Sequence, residues 1–463
     1  MSTFDHLYTK LPVWGQHLAV SAYGVYWRRL RFGPGYADFI RQYLEREDWS
    51  MEQWQTWQVE QLDSLLPTCA RHVPYYRDNW GEAEKRVAIK GNIKGNLSIL
   101  PLLEKDSIRA EPKRFLHEEI HPFRPYIFLT SGSTGTPISS YYTVSELRQA
   151  MALREARSAR WSGVSFSMPR ATFSGRMVEP NPNSAGPFYR FNMVEKQVYF
   201  SAFHLRPDTA QQYVDALHRH NVKWGTGYAV SFYLLARFML ECKIPPPNLK
   251  AIVTTSEKLT PEMRTVMEQA YGCRVYEEYS TVENAIFASE CEYGRLHVSP
   301  DVSITEILRP DGSPCMPGEV GEVVVTSLSR TYQPLIRFRL GDMAMWDSEA
   351  CPCGRQMPVI NEVLGRIEDV VVGPDGRQMV RFHGVFVNQP HVLEGQIVQE
   401  TLDCIRVKVV TTNGFGKNDV QDITDRIQQR LGPSVMVIVE PVLSIPRTQS
   451  GKFQAVISNL KVR

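Results

Sequence analysis

The stretch TSGSTGTP, Thr130–Pro137, decides the reading of this chain. It follows the apolar run YIFL, Tyr126–Leu129, so the chain is expected to leave a strand there and enter a loop of small residues. Gly132 and Gly135 permit backbone conformations in which N–H groups converge, and Ser131, Ser133 and Thr134 add short hydroxyl donors. Such a loop suits the oxygens of a phosphate chain. No Gly-Lys-Ser/Thr follows, so it is not a Walker loop, and on its own a run of this composition is more often a surface loop.

Working outward, three stretches share the same chemistry. YSTVE, Tyr279–Glu283, offers a ring for stacking and a carboxylate for Mg²⁺. RFRLGD, Arg337–Asp342, ends in an acid able to accept two ribose hydroxyls, and PRTQSGK, Pro446–Lys452, ends in a lysine. Taken singly, Tyr279 reads as core, Glu283 as a solvated acid, Asp342 as a turn residue and Lys452 as a surface cation. Their joint occurrence in this order is what carries weight.

Composition bounds the rest. At 463 residues the chain holds about three folding units' worth of sequence. Lys+Arg 52 against Asp+Glu 50 gives a net charge of +2, which argues against nucleic acid as a partner. Hydrophobic residues at 43% and charged residues at 22% exclude disordered, collagen-like and coiled-coil classes. Eight scattered cysteines without a secretory prefix point to a reducing cytoplasm, and no segment reads as stably inserted in a membrane.

Residues 1–100 read as mostly helical, with Met51–Leu66 carrying apolar residues at helical spacing. From about 125 to 345, runs such as Ala251–Thr255 and Val320–Ser327 alternate with helical patterns at Asp208–His220 and Pro261–Tyr271, an α/β signature. LGRIED, Leu364–Asp369, followed by a turn at Pro374–Gly376, sets the expected boundary between a large domain, 1–365, and a small one, 366–463. Strand-like CIRVKVVTT, helix-like Asp419–Leu431 and strand-like SVMVIVEPV make the small domain α+β.

The four stretches together resemble the adenylate-forming superfamily of acyl-CoA synthetases, peptide-synthetase adenylation domains and luciferases. The likeness is greatest to the phenylacetate-CoA ligase branch, and FSGRMVEP, PFYRFN and FSAFHL look like its capsular-polysaccharide-type members. The resemblance implies a large α/β domain with mixed sheets and a small mobile α+β domain. It also implies ATP-dependent activation of an organic, aromatic carboxylic acid through an acyl-adenylate, with transfer to coenzyme A. Alternative outcomes are transfer to an amine or carrier-protein thiol, or a catalytically silent nucleotide-binding protein. A homodimer is compatible with this reading.

Carried onto this sequence, Thr130–Thr134 with Gly135 would hold the β- and γ-phosphates, and Thr130 would share in catalysis. Tyr279 would stack on adenine, flanked by Ser256, Glu257, Ser280 and Thr281 at the nucleotide; Glu283 would hold Mg²⁺. Asp342 and Arg366 would take the ribose hydroxyls, Glu368 would be the hinge acid, and Lys452 would bridge carboxylate and phosphate. Ile138 and Ser139 follow Pro137 where most of the superfamily has lysine, a feature shared with the phenylacetate branch, and Ser280 stands where glycine is usual. Tyr141, Tyr142, His204 and Tyr228 are expected near the acid pocket, where aromatic walls would suit an aryl acid, although each could equally be core.

A second constellation is independent of the nucleotide. Cys291 and His297 in CEYGRLH, with Cys351 and Cys353 in CPCG, match a closed tetrahedral site for structural Zn²⁺. The plain alternative is four unrelated residues in a reducing cytosol. Cys69, Cys242, Cys273, Cys315 and Cys404 read as core or inert.

Overall fold

The computed structural model describes residues 8, 11–90, 97–129, 138–174, 176, 178–179, 184–202, 204–366, 371–374, 378–379, 383–386, 389–447 and 453–460. The N-terminal region forms the helices Val13–Arg31, Tyr36–Glu45, Met51–His72, Pro74–Asn79 and Glu82–Lys90. Met51–His72 starts where Ser50 and Gln53 cap each other reciprocally, and it buries Trp54, Leu62, Leu65, Leu66 and Cys69. Trp54 is completely enclosed, and a large apolar side chain buried in this way stabilises by about 1.5–3 kcal/mol.

A twelve-stranded sheet forms the body. Its order from one edge is Ser303–Leu308, Val320–Ser327, Phe338–Trp346, Val359–Arg366, Leu296–Val298, Phe287–Glu290, Arg274–Ser280, Ala251–Thr255, Trp224–Tyr228, Arg170–Phe173, Gln197–Phe200 and Tyr189–Asn192. Neighbours from Arg274–Ser280 to Gln197–Phe200 run parallel. The remaining pairs are antiparallel. Helices Ala210–Arg219, Ala229–Glu241 and Pro261–Tyr271 cover the parallel half, as the crossover connections between parallel strands require.

These bounds match the sequence reading at Ala251–Thr255, Val320–Ser327 and Pro261–Tyr271. Thr260 caps the last of these helices, Pro261 opens it and Gly272 closes it at φ +66, each a residue suited to its position. The chain passes very close to its neighbour at Gly227, where φ is +129 and a Cβ would stand 1.8 Å from the Phe173 carbonyl oxygen.

A separate four-stranded sheet, Met436–Pro441, Cys404–Thr411, Val392–Thr401 and Val456–Ser458, makes up the C-terminal part. Helix Lys417–Leu431 lays Ile423, Ile427 and Leu431 on it, four residues apart and therefore on one stripe. Short strands Val371–Val372 and Gln378–Met379 pair antiparallel across the expected turn. Among the described residues no helix is long and apolar enough to cross a membrane.

Candidate functional site

The parallel strands end on one side, and the chain segments that leave them there carry many of the residues singled out by sequence. Tyr228 ends Trp224–Tyr228, Ser256 and Glu257 follow Ala251–Thr255, and Ser280, Thr281 and Glu283 lie at or beyond the end of Arg274–Ser280. In open α/β sheets a crevice at the carboxyl ends of the strands is where ligands bind. The hairpin Tyr126–Leu129 with Ser139–Tyr142 pairs Leu129 with Ser139, so the two ends of Thr130–Pro137 are held side by side. Thr130, Ser131, Gly132, Ser133, Thr134 and Gly135 themselves lie outside the described residues, as do Glu368 and Lys452.

Tyr279 and Asp342, far apart in sequence, meet directly: the Tyr279 hydroxyl donates to Asp342 Oδ2 at 2.7 Å. Asp342 is also the cross-strand partner of Arg366. The antiparallel register therefore brings ring, acid and arginine backbone to one place. Thr281 Oγ1 is enclosed with no hydrogen-bond partner among the described residues, a donor and acceptor that suits a polar ligand group.

Arg330, which sequence reasoning missed, organises the approach to this site. Its buried guanidinium donates to the main-chain carbonyls of Glu283 and Tyr141, to Ser140 Oγ at 3.1 Å and to Gln333 Oε1 at 3.2 Å. It also lies over the Tyr142 ring, 3.9 Å from the centroid. Glu283 is itself buried, with its backbone tied to the hairpin through that arginine. An arginine in the run SLSRTYQP gives no local signal of such a role, because apart from Gln333 its partners come from two distant segments, Ser140–Tyr142 and Glu283.

Among the residues expected at the acid pocket, Tyr142 is fully buried and donates to the Val282 carbonyl, and burial pushes its phenol up to about 12. Tyr141 is buried on the same hairpin, its N–H donating to Gln333 Oε1 at 2.9 Å. His204 stacks on Phe188 at 4.9 Å and shares a 2.7 Å hydrogen bond with Ser201 Oγ. Tyr228 packs in the core of the parallel half. The first two thus lie beside the Val282–Glu283 backbone, while the last two are buried in the core of the parallel half.

Ser256 sits in the left-handed region, φ +71, which turns the chain so that Glu257 faces the first turn of Ala229–Glu241. Both Glu257 oxygens are engaged, Oε2 by the Val230 N–H and Oε1 by the Phe453 N–H, each at 2.9 Å.

The four residues of the second constellation converge. The ligand atoms of Cys291, His297, Cys351 and Cys353 all lie within 4.8 Å of one another. Cys291 Sγ is 3.6 Å from Cys351 Sγ, and Cys353 Sγ is 3.4 Å from His297 Nε2. A tetrahedral zinc with bonds of ordinary length has S···S edges of about 3.8 Å and S···N edges of about 3.6 Å, so these two edges match such a site. His297 Nδ1 faces the Met357 carbonyl at 3.3 Å, the outer bond that orients a metal-binding imidazole. Two tight turns supply the cysteines, one closed by Gly294 N–H on the Cys291 carbonyl and one by Gly354 N–H on the Cys351 carbonyl. Both glycines hold positive φ, +76 and +82. Burial lowers His297 to about 4, so the imidazole is neutral, as a ligand must be. The other cysteines are scattered: Cys69, Cys315 and Cys404 are buried, Cys273 half-buried and Cys242 exposed.

Residues 374–459 match the family described as the CapK C-terminal domain. Over 99% of its length the chain is 25% identical to protein CapK of Staphylococcus aureus, all of which is covered. It is 26% identical to the phenylacetate-coenzyme A ligase of Thermus thermophilus over 45% of this chain and 54% of that one. Among solved structures, a 2-hydroxyisobutyryl-CoA ligase in the postadenylation state superposes with a TM-score of 0.69 at 21% identity, covering 89% of this chain and 91% of that one. The same ligase in its thioesterification state gives 0.54 at 20% identity and the same coverage.

Proposed function

Because the chain belongs to the adenylate-forming superfamily, on its phenylacetate-CoA ligase-like branch, we propose that it activates an organic carboxylic acid with ATP and passes the acyl group to coenzyme A. The observation that carries this reading is the Tyr279–Asp342 contact beside the Arg366 backbone, at the carboxyl ends of the parallel strands, where Tyr142 and Arg330 tie Val282 and Glu283 to a paired hairpin whose connecting sequence is rich in Gly, Ser and Thr.

In the first half-reaction a carboxylate oxygen of the acid attacks the α-phosphorus, the bond to the β-phosphate oxygen breaks, and pyrophosphate leaves. In the second, a thiolate attacks the acyl carbonyl and AMP leaves with the electron pair of the broken C–O bond. Catalysis of this kind is mostly positioning and charge neutralisation. Thr130–Gly135 would cradle the β- and γ-phosphates, Tyr279 would stack on adenine, and Asp342 with Arg366 would fix the ribose. Glu283 would hold Mg²⁺, which neutralises phosphate charge. Lys452 would meet the charge that builds between carboxylate and α-phosphate. The aromatic side chains Tyr141, Tyr142, His204 and Tyr228 favour an aryl or arylacetic acid as substrate.

ATP–pyrophosphate exchange with a panel of acids tests the proposal. One or more aryl acids should support exchange, and Lys452→Ala should lower its rate by ~10²- to 10³-fold while still converting supplied acyl-adenylate to thioester. Absence of acid-dependent exchange across the panel would sink the enzymatic reading.

A further inference from the structure

Glu257 is expected at the nucleotide by resemblance, yet its carboxylate spans two main-chain N–H groups from different parts of the molecule. One belongs to Val230, in the first turn of Ala229–Glu241. The other belongs to Phe453, the residue covalently next to Lys452. A carboxylate that accepts from both joins them with two charge-assisted hydrogen bonds.

The same helix makes a second contact with the C-terminal part. Arg237 Nη1 donates to the Val392 carbonyl at 3.0 Å, at the start of strand Val392–Thr401. Val230 and Arg237 are seven residues apart, two helical turns, so both contacts fall on nearly one face of the helix, about 10 Å apart. On the other side, Phe453 is itself held. Arg447 lies over its ring at 4.7 Å and pairs with Glu394 at 2.6 Å, both ionic side chains being largely buried. The segment that arrives at Glu257 is thus braced from within its own domain.

We propose that Glu257 is a positioning residue, the latch that docks Phe453, and with it the C-terminal sheet, on helix Ala229–Glu241 for adenylation and releases it for the second half-reaction. This inference rests on the adenylating reading above. A latch has a distinct kinetic signature: it sets the population of the seated arrangement, so its loss lowers kcat of the step that needs Lys452 without touching nucleotide affinity. A nucleotide ligand would instead raise the KM for ATP. Losing a charge-assisted hydrogen bond shifts a two-state population by roughly 10- to 100-fold.

The test compares wild type with Glu257→Ala, Glu257→Gln and Arg237→Ala. Glu257→Ala should lower kcat of ATP–pyrophosphate exchange at least about tenfold, leave the KM for ATP within about twofold, and leave thioester formation from supplied acyl-adenylate near the wild-type rate. Glu257→Gln, which keeps one acceptor oxygen, should fall between the two, and Arg237→Ala should show the same split between half-reactions. Amide hydrogen exchange read on a peptide spanning Phe453 supplies an arm independent of turnover, and Glu257→Ala should lose protection there. A raised KM for ATP, equal loss of both half-reactions, or unchanged exchange at Phe453 would each overturn the latch. If wild type activates no acid, the functional reading fails, while protection at Phe453 still decides whether Glu257 docks the segment.

Discussion

At the scale of single residues, the pairing of Tyr279 with Asp342 constrains what each can do. One oxygen of Asp342 accepts the phenol at 2.7 Å, which orients the carboxylate. If that carboxylate takes the ribose, Asp342→Ala removes both the ligand and the anchor of the ring, whereas Tyr279→Phe removes only the anchor and keeps the stacking face. A hydrogen bond to a charged group contributes about 1.5–3 kcal/mol, or ~10- to 100-fold in affinity. Asp342→Ala should therefore raise the KM for ATP by that order and leave the KM for acid little changed, with Tyr279→Phe causing a smaller rise in the same exchange assay. The reverse order would show that Asp342 serves the ring rather than the ribose. Both residues were legible as motifs, since YSTVE and RFRLGD are local strings. Their contact was not, because it depends on how distant strands are registered. Arg330 was illegible for the same reason: three of its four acceptors are carbonyls or side chains brought to it only by the tertiary fold.

At the scale of elements, strands and helices with local punctuation were read closely, as at Pro261–Tyr271 between its capping Thr260 and Gly272. What the sequence did not reveal was how the end of the large sheet is protected. Strand Tyr189–Asn192 is an edge, and an edge exposes N–H groups that invite pairing with another chain. Helix Val13–Arg31 blocks this with side chains four residues apart: the Phe191 N–H donates to His17 Nδ1 at 2.8 Å and the Met193 N–H to Ser21 Oγ at 3.1 Å. Such i, i+4 residues lie on one helix face, but nothing local says that the face meets a strand edge. The double variant His17→Ala, Ser21→Ala should lower stability by about 1–3 kcal/mol per N–H left unpaired and bring forward aggregation in heated light-scattering measurements. The histidine also sets a sign with pH. Burial first, and then the Arg190 charge, lower its pKa from the usual 6.5, and the bond requires an unprotonated Nδ1. Its contribution is therefore full above about pH 6.5 and is lost as pH falls through the lower folded value. Thermal midpoints measured across that range should decline less steeply for His17→Gln than for wild type.

At the scale of the whole molecule, the cysteine and histidine cage sits at one end of the same strand that reaches Asp342, at the proposed nucleotide site, at the other. Val359 pairs with His297 beside the cage, and Arg366 pairs with Asp342. Seven residues of extended chain separate them, about 23 Å. A cation there would be too far to touch reacting atoms, and with three thiolates and one imidazole it would have no position left for water, so we propose that its work would be to staple two turns of the sheet. The mixed helix-and-strand character of the body was legible because periodicity changes along the chain, and the four cage residues were legible from CEYGRLH and CPCG, but the 53 residues between the pairs concealed their distance from Asp342. Separation of structure from chemistry gives the prediction its form. Protein purified without added zinc should carry about one zinc per chain. Cys353→Ser should lower the metal content and the thermal midpoint by several degrees, since binding energy at a structural site is folding energy. Measured well below that midpoint, the KM for ATP and the rate of pyrophosphate exchange should stay within about twofold of wild type, because the sheet still registers Asp342 against Arg366. Loss of exchange activity in a variant that remains folded would place the metal in the chemistry, and a metal-free protein with an unshifted midpoint in Cys353→Ser would remove the metal altogether.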